Sequence, residues 1–251
     1  MQCVKRSYRR NIFAVACAAM ALSMVTAGPA FGAVSDYYGT YAGTYSATYS
    51  GNDYGYWVAV ISADSKAFLS YSTLLGSGDG GSIYYSGESG STGEFYSTSV
   101  IQGASIDPIY VTAGGSVSGQ WNNSYYGESG TFTGSKVTDS SYAGSYSGTL
   151  GGDATGTWQM TVESNGYITG TVTVEGGTAS FEGGVHPEGY FAAIGTIDYE
   201  DFAVFGTISG SSVSGGWVSD DGSEGTISTG SGGGDGGGGG GGCFIFSIKG
   251  K

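Results

Sequence analysis

The chain has 251 residues, of which 51 are glycine and 20 tyrosine, with 21 acidic residues against 8 basic ones and a formal net charge of −13. Four basic residues fall in the first ten positions and two in the last three, so the body between holds only Lys66 and Lys136 against 20 acids, near −18. Nucleic-acid binding and attachment to an anionic membrane surface both need cations that this body lacks, whereas high net charge keeps a chain soluble and monomeric.

Lys5, Arg6, Arg9 and Arg10 form a basic start, and an apolar run follows from Ile12 to about Val25. Small residues then lead to an expected cleavage site after Gly32, with Ala30 at the minus-three position. That layout is a secretory signal peptide over 1–32. A membrane anchor needs roughly 20 apolar residues, and this run is shorter and broken by Ser23 and Thr26. A lipoprotein signal at Cys17 would have too little apolar sequence before it. With Cys3 and Cys17 removed, Cys243 is the one remaining cysteine, so no intramolecular disulfide is expected.

Two units follow, at 35–137 and 141–230. Tyr41-Ala42-Gly43-Thr44-Tyr45-Ser46 is matched with Tyr142-Ala143-Gly144-Ser145-Tyr146-Ser147, and Gly55 and Trp57 with Gly156 and Trp158. Near the ends, Ser116 to Gly119 and Trp121 match Ser212 to Gly215 and Trp217. Ser129-Gly130-Thr131 likewise matches Glu224-Gly225-Thr226. Turns in the first unit are expected near Gly51 to Asp53, Asp64-Ser65, Gly76 to Gly81, Ser91, Asp107-Pro108, Gly114-Gly115 and Asn122-Asn123. In the second, Trp158, Met160 and Val162 alternate with polar residues before Asn165-Gly166, and Ile168, Val172 and Val174 alternate after it. Apolar alternation around Asn-Gly is a strong hairpin signal.

The fold class is therefore all-β: two tandem antiparallel up-and-down meanders of about eight strands each. Small closed β-barrels are the first expectation, because closure removes exposed edges and eight strands suit a filled barrel. A pair of β-sandwiches or one long twisted sheet is the second. An outer-membrane barrel of sixteen strands would need longer strands and an uninterrupted lipid-facing band.

Few residues point to catalysis or metal binding. His186 is the only histidine, placed in a turn beside Pro187, and is expected to be a solvated loop residue. A carboxylate-based glycosidase needs only two acids, and the cluster of Asp198, Glu200 and Asp201 or that of Asp220, Asp221 and Glu224 could supply them. Yet both sit at predicted turns, where acids are common. A calcium site at these clusters or at Asp79 lacks the spacing of known loops. No cofactor is expected. Tyrosine is more informative: 14 lie in the first unit, including the pairs Tyr37-Tyr38, Tyr84-Tyr85 and Tyr125-Tyr126. In a strand, adjacent residues face opposite ways, so one ring of each pair should face solvent and offer contact area. Glycan, peptide or self-association are the partners this would serve, against plain cross-strand pairing. Trp57, Trp121, Trp158 and Trp217 are expected in the cores.

From Ser231 to Gly242 the chain is almost pure glycine, a flexible linker, and 243–251 is a short tail beginning Cys243-Phe244-Ile245. A glycine tract running into these three residues resembles the CFI-box C-terminal region of bacterial exported proteins. That resemblance implies sorting or anchoring through Cys243, although this tail stops within six further residues. The repeats look like glycine-rich repeats of uncharacterised bacterial exported proteins and, more distantly, like avidin-type meander barrels. The expected function is a non-enzymatic binding or structural module, extracellular or at the cell surface, with the periplasm also open. Membrane association would come only through the tail. A small-ligand carrier using a barrel cavity, an outer-membrane barrel and a carbohydrate-active enzyme are the alternatives.

Overall fold

The computed structural model describes residues 33–47, 54–63, 66–72, 77–97, 104–123, 127–198, 200–219 and 221–229. Residues 1–32, where a signal peptide is expected, the turns expected near Gly51 to Asp53 and at Asp64-Ser65, Tyr125, Tyr126, Asp220, the glycine tract and the Cys243 tail lie outside the described residues. After a 3-10 turn at Val34–Tyr37, the first meander runs β1 Gly39–Ala47, β2 Tyr54–Ile61, β3 Lys66–Ser72 and β4 Ser77–Ser89. It continues with β5 Thr92–Ser97, β6 Ala104–Thr112, β7 Ser116–Asn123 and β8 Glu128–Lys136. The second comprises β9 Gly144–Gly152, β10 Gly156–Val162, β11 Tyr167–Val174 and β12 Gly177–Val185. Its remaining strands are β13 Tyr190–Ile197, β14 Glu200–Ser209, β15 Ser212–Ser219 and β16 Glu224–Ser228. Within each meander every strand pairs antiparallel with its neighbour in sequence, and each meander closes on itself, β1 on β8 and β16 on β9. The chain is all-β and forms two eight-stranded barrels rather than one sixteen-strand sheet.

Period-two alternation fills both interiors. In β10 the inward Trp158, Met160 and Val162 are buried while Thr157, Gln159 and Thr161 face out. They join Ile168, Phe181, Phe191, Phe202 and Trp217 in one core. The first barrel is filled by Tyr37, Tyr41, Trp57, Ile83, Phe95, Ile109 and Phe132. Burying each large apolar side chain contributes about 1.5–3 kcal/mol, and these cores carry the fold without a cystine. Trp57, Trp158 and Trp217 are buried as expected, and Trp121 is half-buried against the core.

Glycine permits the closure. A Cβ on Gly43 would lie 2.0 Å from the Thr133 carbonyl oxygen, and one on Gly148 would lie 1.9 Å from that of Ser228. Both glycines sit where the first strand of a barrel meets its last.

Three expectations need correction. Asp107-Pro108 is not a turn but lies inside β6, where the register shifts between Ile106 and Ile109. Proline has no N–H to give the ladder, and a bulge accommodates it. Gly78 to Gly81 extend β4 and pair with Tyr71 to Phe68, which places Asp79 in a strand opposite Ser70 rather than in a glycine loop. Finally, the match of Tyr41 with Tyr142 is out of register by four residues. The Tyr41 hydroxyl donates to the Tyr37 carbonyl (2.7 Å), and the corresponding bond runs from Tyr146 to Tyr142 (2.8 Å). Trp57 opposes Gly43 and donates from Nε1 to the Thr44 oxygen, while Trp158 opposes Gly148 and donates to that of Thr149. Tyr41 and Gly43 thus correspond to Tyr146 and Gly148, and the connection to the next strand is four residues shorter in the second barrel.

The barrels pack on each other through outer faces. From β1 and β2, Thr40, Val58 and Val60 face out, yet they are 1%, 4% and 2% exposed. Their partner is Gly184 on β12, where a Cβ would lie 2.4 Å from Val58 Cγ1 and 2.7 Å from Thr40 Cγ2. The segment after β8 joins in: Val137 clusters with Ala42 and Val58, and its N–H donates to the Thr40 oxygen (2.8 Å).

Candidate binding surface

The structure sorts the tyrosine pairs differently from one another. Tyr84 and Tyr85 behave as the strand argument requires: Tyr84 is half exposed (50%), while Tyr85 turns inward against Phe95 (5.3 Å between ring centroids). Tyr37 and Tyr38 do not, because the chain enters β1 through a 3-10 turn instead of a strand. Tyr37 is buried edge-on to Phe95, and its hydroxyl donates to the Glu88 carboxylate (2.9 Å). Tyr38 packs partly buried against the same core. Burial, with the Glu88 hydrogen bond and charge added, pushes the Tyr37 hydroxyl up to about 12. Burial alone does the same at Tyr41.

Two further exposed rings were not anticipated: Tyr96 at 36% and Tyr110 at 38%. Neither belongs to a tyrosine pair. The signal for both was alternation, since Phe95 and the residues flanking Tyr110, Ile109 and Val111, are buried. Tyr84 on β4 lies directly opposite Tyr96 on β5, and Tyr110 on β6 lies directly opposite Glu94 on β5. All four side chains therefore project from one outer face of three adjacent strands. A bulge at Tyr85 to Gly87 brings Gly87 opposite Glu94, and a Cβ at Gly87 would meet nothing within 4 Å. The face thus carries three rings around one carboxylate, with an open notch beside it. Ser86 Oγ donates to the backbone oxygen of Glu94 (3.1 Å), and no described residue engages its carboxylate.

The second barrel offers a different surface. A trough of about 1070 Å³ crosses the outer face of β9 to β14, walled by Ser147, Gln159, Thr171, Ser180, Glu182 and Asp201. Its two carboxylates are already engaged: Tyr167 donates to Glu182, and Thr196 Oγ1 donates to Asp201 (2.6 Å). They stand two strands apart, with backbones separated by about 12 Å from strand spacing and rise.

Of the acids expected at turns, Asp198 and Asp221 behave as turn residues, whereas Glu200, Asp201 and Glu224 lie in strands and Asp220 lies outside the described residues. Asp198 adopts φ of 50° between β13 and β14, a conformation aspartate tolerates. Asp221 accepts from Ser219 Oγ, the Ser223 N–H and Ser223 Oγ, and the bonds from Ser219 and Ser223 hold its carboxyl below the ordinary value. Glu224 uses its backbone N–H to reach Asp153 (3.1 Å). Among the described residues no group of three histidine, cysteine or acidic side chains could hold a metal.

His186 is not the solvated loop residue expected. It is 6% exposed, because its turn lies against the outer face of the first barrel, a contact that period-two reasoning within one unit does not reveal. The ring lies 4.6 Å from that of Tyr56, which stacks on Tyr190 at 4.5 Å and 20°. Its Nδ1 accepts the Glu188 N–H (3.0 Å), so the ring is the neutral tautomer. Burial lowers its pKa, partly offset by the Glu188 charge and a backbone hydrogen bond with Gly43.

No protein-family model matches the chain, and no curated protein or solved structure matches it either.

Proposed function

We propose that this chain is an exported, non-enzymatic module that binds a partner through the outer surface of its barrels, released or held near the cell surface by the Cys243 tail. The observation that carries the reading is the joint position of Tyr84, Tyr96 and Tyr110: three exposed rings on one face of a barrel whose interior is occupied by its own side chains. A filled interior directs ligand recognition outward, and exposed aromatic clusters mark contact surfaces. The basic and apolar N-terminus supports export, and the recurrence of the Tyr41 and Trp57 contacts at Tyr146 and Trp158 supports a duplicated unit. In the second barrel, the trough, which sets hydroxyl and amide groups beside the apolar Met160, Phe181 and Ile194, supports an added glycan-binding reading.

The test has two parts. Expression of the full chain in a secreting bacterial host, followed by N-terminal sequencing, should yield a mature chain beginning at Ala33; retention of residues 1–32 would count against export. The purified protein and its Tyr84→Thr/Tyr96→Thr/Tyr110→Thr variant are then compared on glycan and peptide arrays and by sedimentation. Loss of binding or self-association in the variant is the expected result, while identical profiles would remove this face from the reading.

A further inference from the structure

We propose that the tyrosine face of the first barrel is a docking site for a basic polypeptide segment, with a lysine or arginine side chain seated on Glu94 between the rings of Tyr96 and Tyr110. The inference rests on the reading of that face as a binding surface and names the chemistry of its partner. A carboxylate on an aromatic surface is an incomplete arrangement. Glu94 is half-buried, with Tyr110 directly opposite it and Tyr96 two residues along the same face, and no described residue supplies a hydrogen bond or a cation to its carboxylate. Tyrosine faces attract a cation through their ring quadrupole, and a carboxylate adds a charge-assisted hydrogen bond. The alkyl stem of lysine or arginine can lie along the rings while its head reaches the acid.

The open space at Gly87, directly opposite Glu94, provides room for the incoming head group beside the carboxylate. Charge complementarity selects the partner at long range. The body holds two basic residues against 20 acids, and a field of that sign raises the local concentration of cationic chains. The first barrel already shows the short-range chemistry once. Lys136 Nζ lies 5.9 Å from the Tyr41 ring centroid while donating to the Tyr38 oxygen. At Glu94 the cation must come from outside the described residues.

The experiment titrates a fluorescently labelled hexalysine peptide into the purified mature protein at low and at physiological salt, following anisotropy. Glu94→Gln and Tyr96→Thr should each weaken binding about tenfold at physiological salt. Glu175→Gln, which removes the same charge from an exposed turn of the second barrel, should leave it within about twofold. Circular dichroism checks that the variants fold, and both replacements suit a strand. Equal weakening by Glu94→Gln and Glu175→Gln would overturn the proposal, since the peptide would then sense only the overall field. Binding of neutral oligosaccharides lost in Tyr96→Thr but kept in Glu94→Gln would also overturn it, while leaving the face itself a binding surface. Indifference of every ligand, and of self-association, to the tyrosine replacements would remove both.

Discussion

At the scale of single residues, the side chains that matter most are those whose surroundings contradict their local sequence. His186 sits beside a proline in a turn and reads as solvated, yet it is buried against the Tyr56 ring. Its backbone N–H donates to the Tyr190 oxygen, and among the described residues Glu188 is the charged group facing it. Burial lowers its pKa below the ordinary value, so below about pH 6.5 the unfolded chain binds a proton that the folded one resists. The stability that neutral His186 contributes is complete above that pH. It falls as the pH drops through the ordinary histidine range, and it levels off once the buried ring itself takes up a proton. Urea denaturation at pH 7.5 and 5.5 should show this loss in the native chain and a smaller one in His186→Gln. The tyrosines divide on the same principle. Tyr84 and Tyr85 could be sorted by alternation, whereas Tyr37 and Tyr38 could not, because the 3-10 turn before β1 has no period of two. Spectrophotometric titration should find the Tyr37 and Tyr41 hydroxyls, among those described, ionising only at about 12. Phenylalanine at both positions should remove that late phase.

At the scale of elements, hairpins were legible wherever alternating apolar residues flank a turn dipeptide, as around Asn165-Gly166, which joins β10 to β11. Reading failed where glycine or proline lies inside a strand. Gly78 to Gly81 and Pro108 look like punctuation, but neighbouring strands supply the pairing that overrides local propensity. Closure was inferred from edge protection, and the glycines that permit it could be identified only once the strands were in register. Gly43 and Gly148 stand at the two closing seams with no room for a methyl group. Gly148→Val should therefore destabilise the protein by about 3 kcal/mol, as overpacking does. The same change at exposed Gly176, where a Cβ meets nothing within 4 Å, should cost far less. Chemical denaturation of the two variants makes the comparison.

At the scale of the whole molecule, two filled barrels dock through the outer faces of β1–β2 and β12–β13, which leaves recognition to the surfaces that remain. The contact depends on Gly184 lying flat against Thr40 and Val58. A leucine there should force the barrels apart, raising the radius of gyration in solution scattering while each barrel keeps its β-sheet signal. It should also weaken the loss of stability between pH 7.5 and 5.5, since His186 would then meet water. No pattern within one unit could have revealed this contact, because it joins residues whose periodicity assigns them to solvent. The most direct test of the central claim, that the interiors are filled and the tyrosine face is open, is chemical footprinting of tyrosines in the native protein with peptide-level mass spectrometry. Tyr84, Tyr96 and Tyr110 should label rapidly, and Tyr37 and Tyr41 should be protected. Labelling of Tyr37 and Tyr41 as fast as those three would contradict the claim, because the first barrel would then be open to solvent.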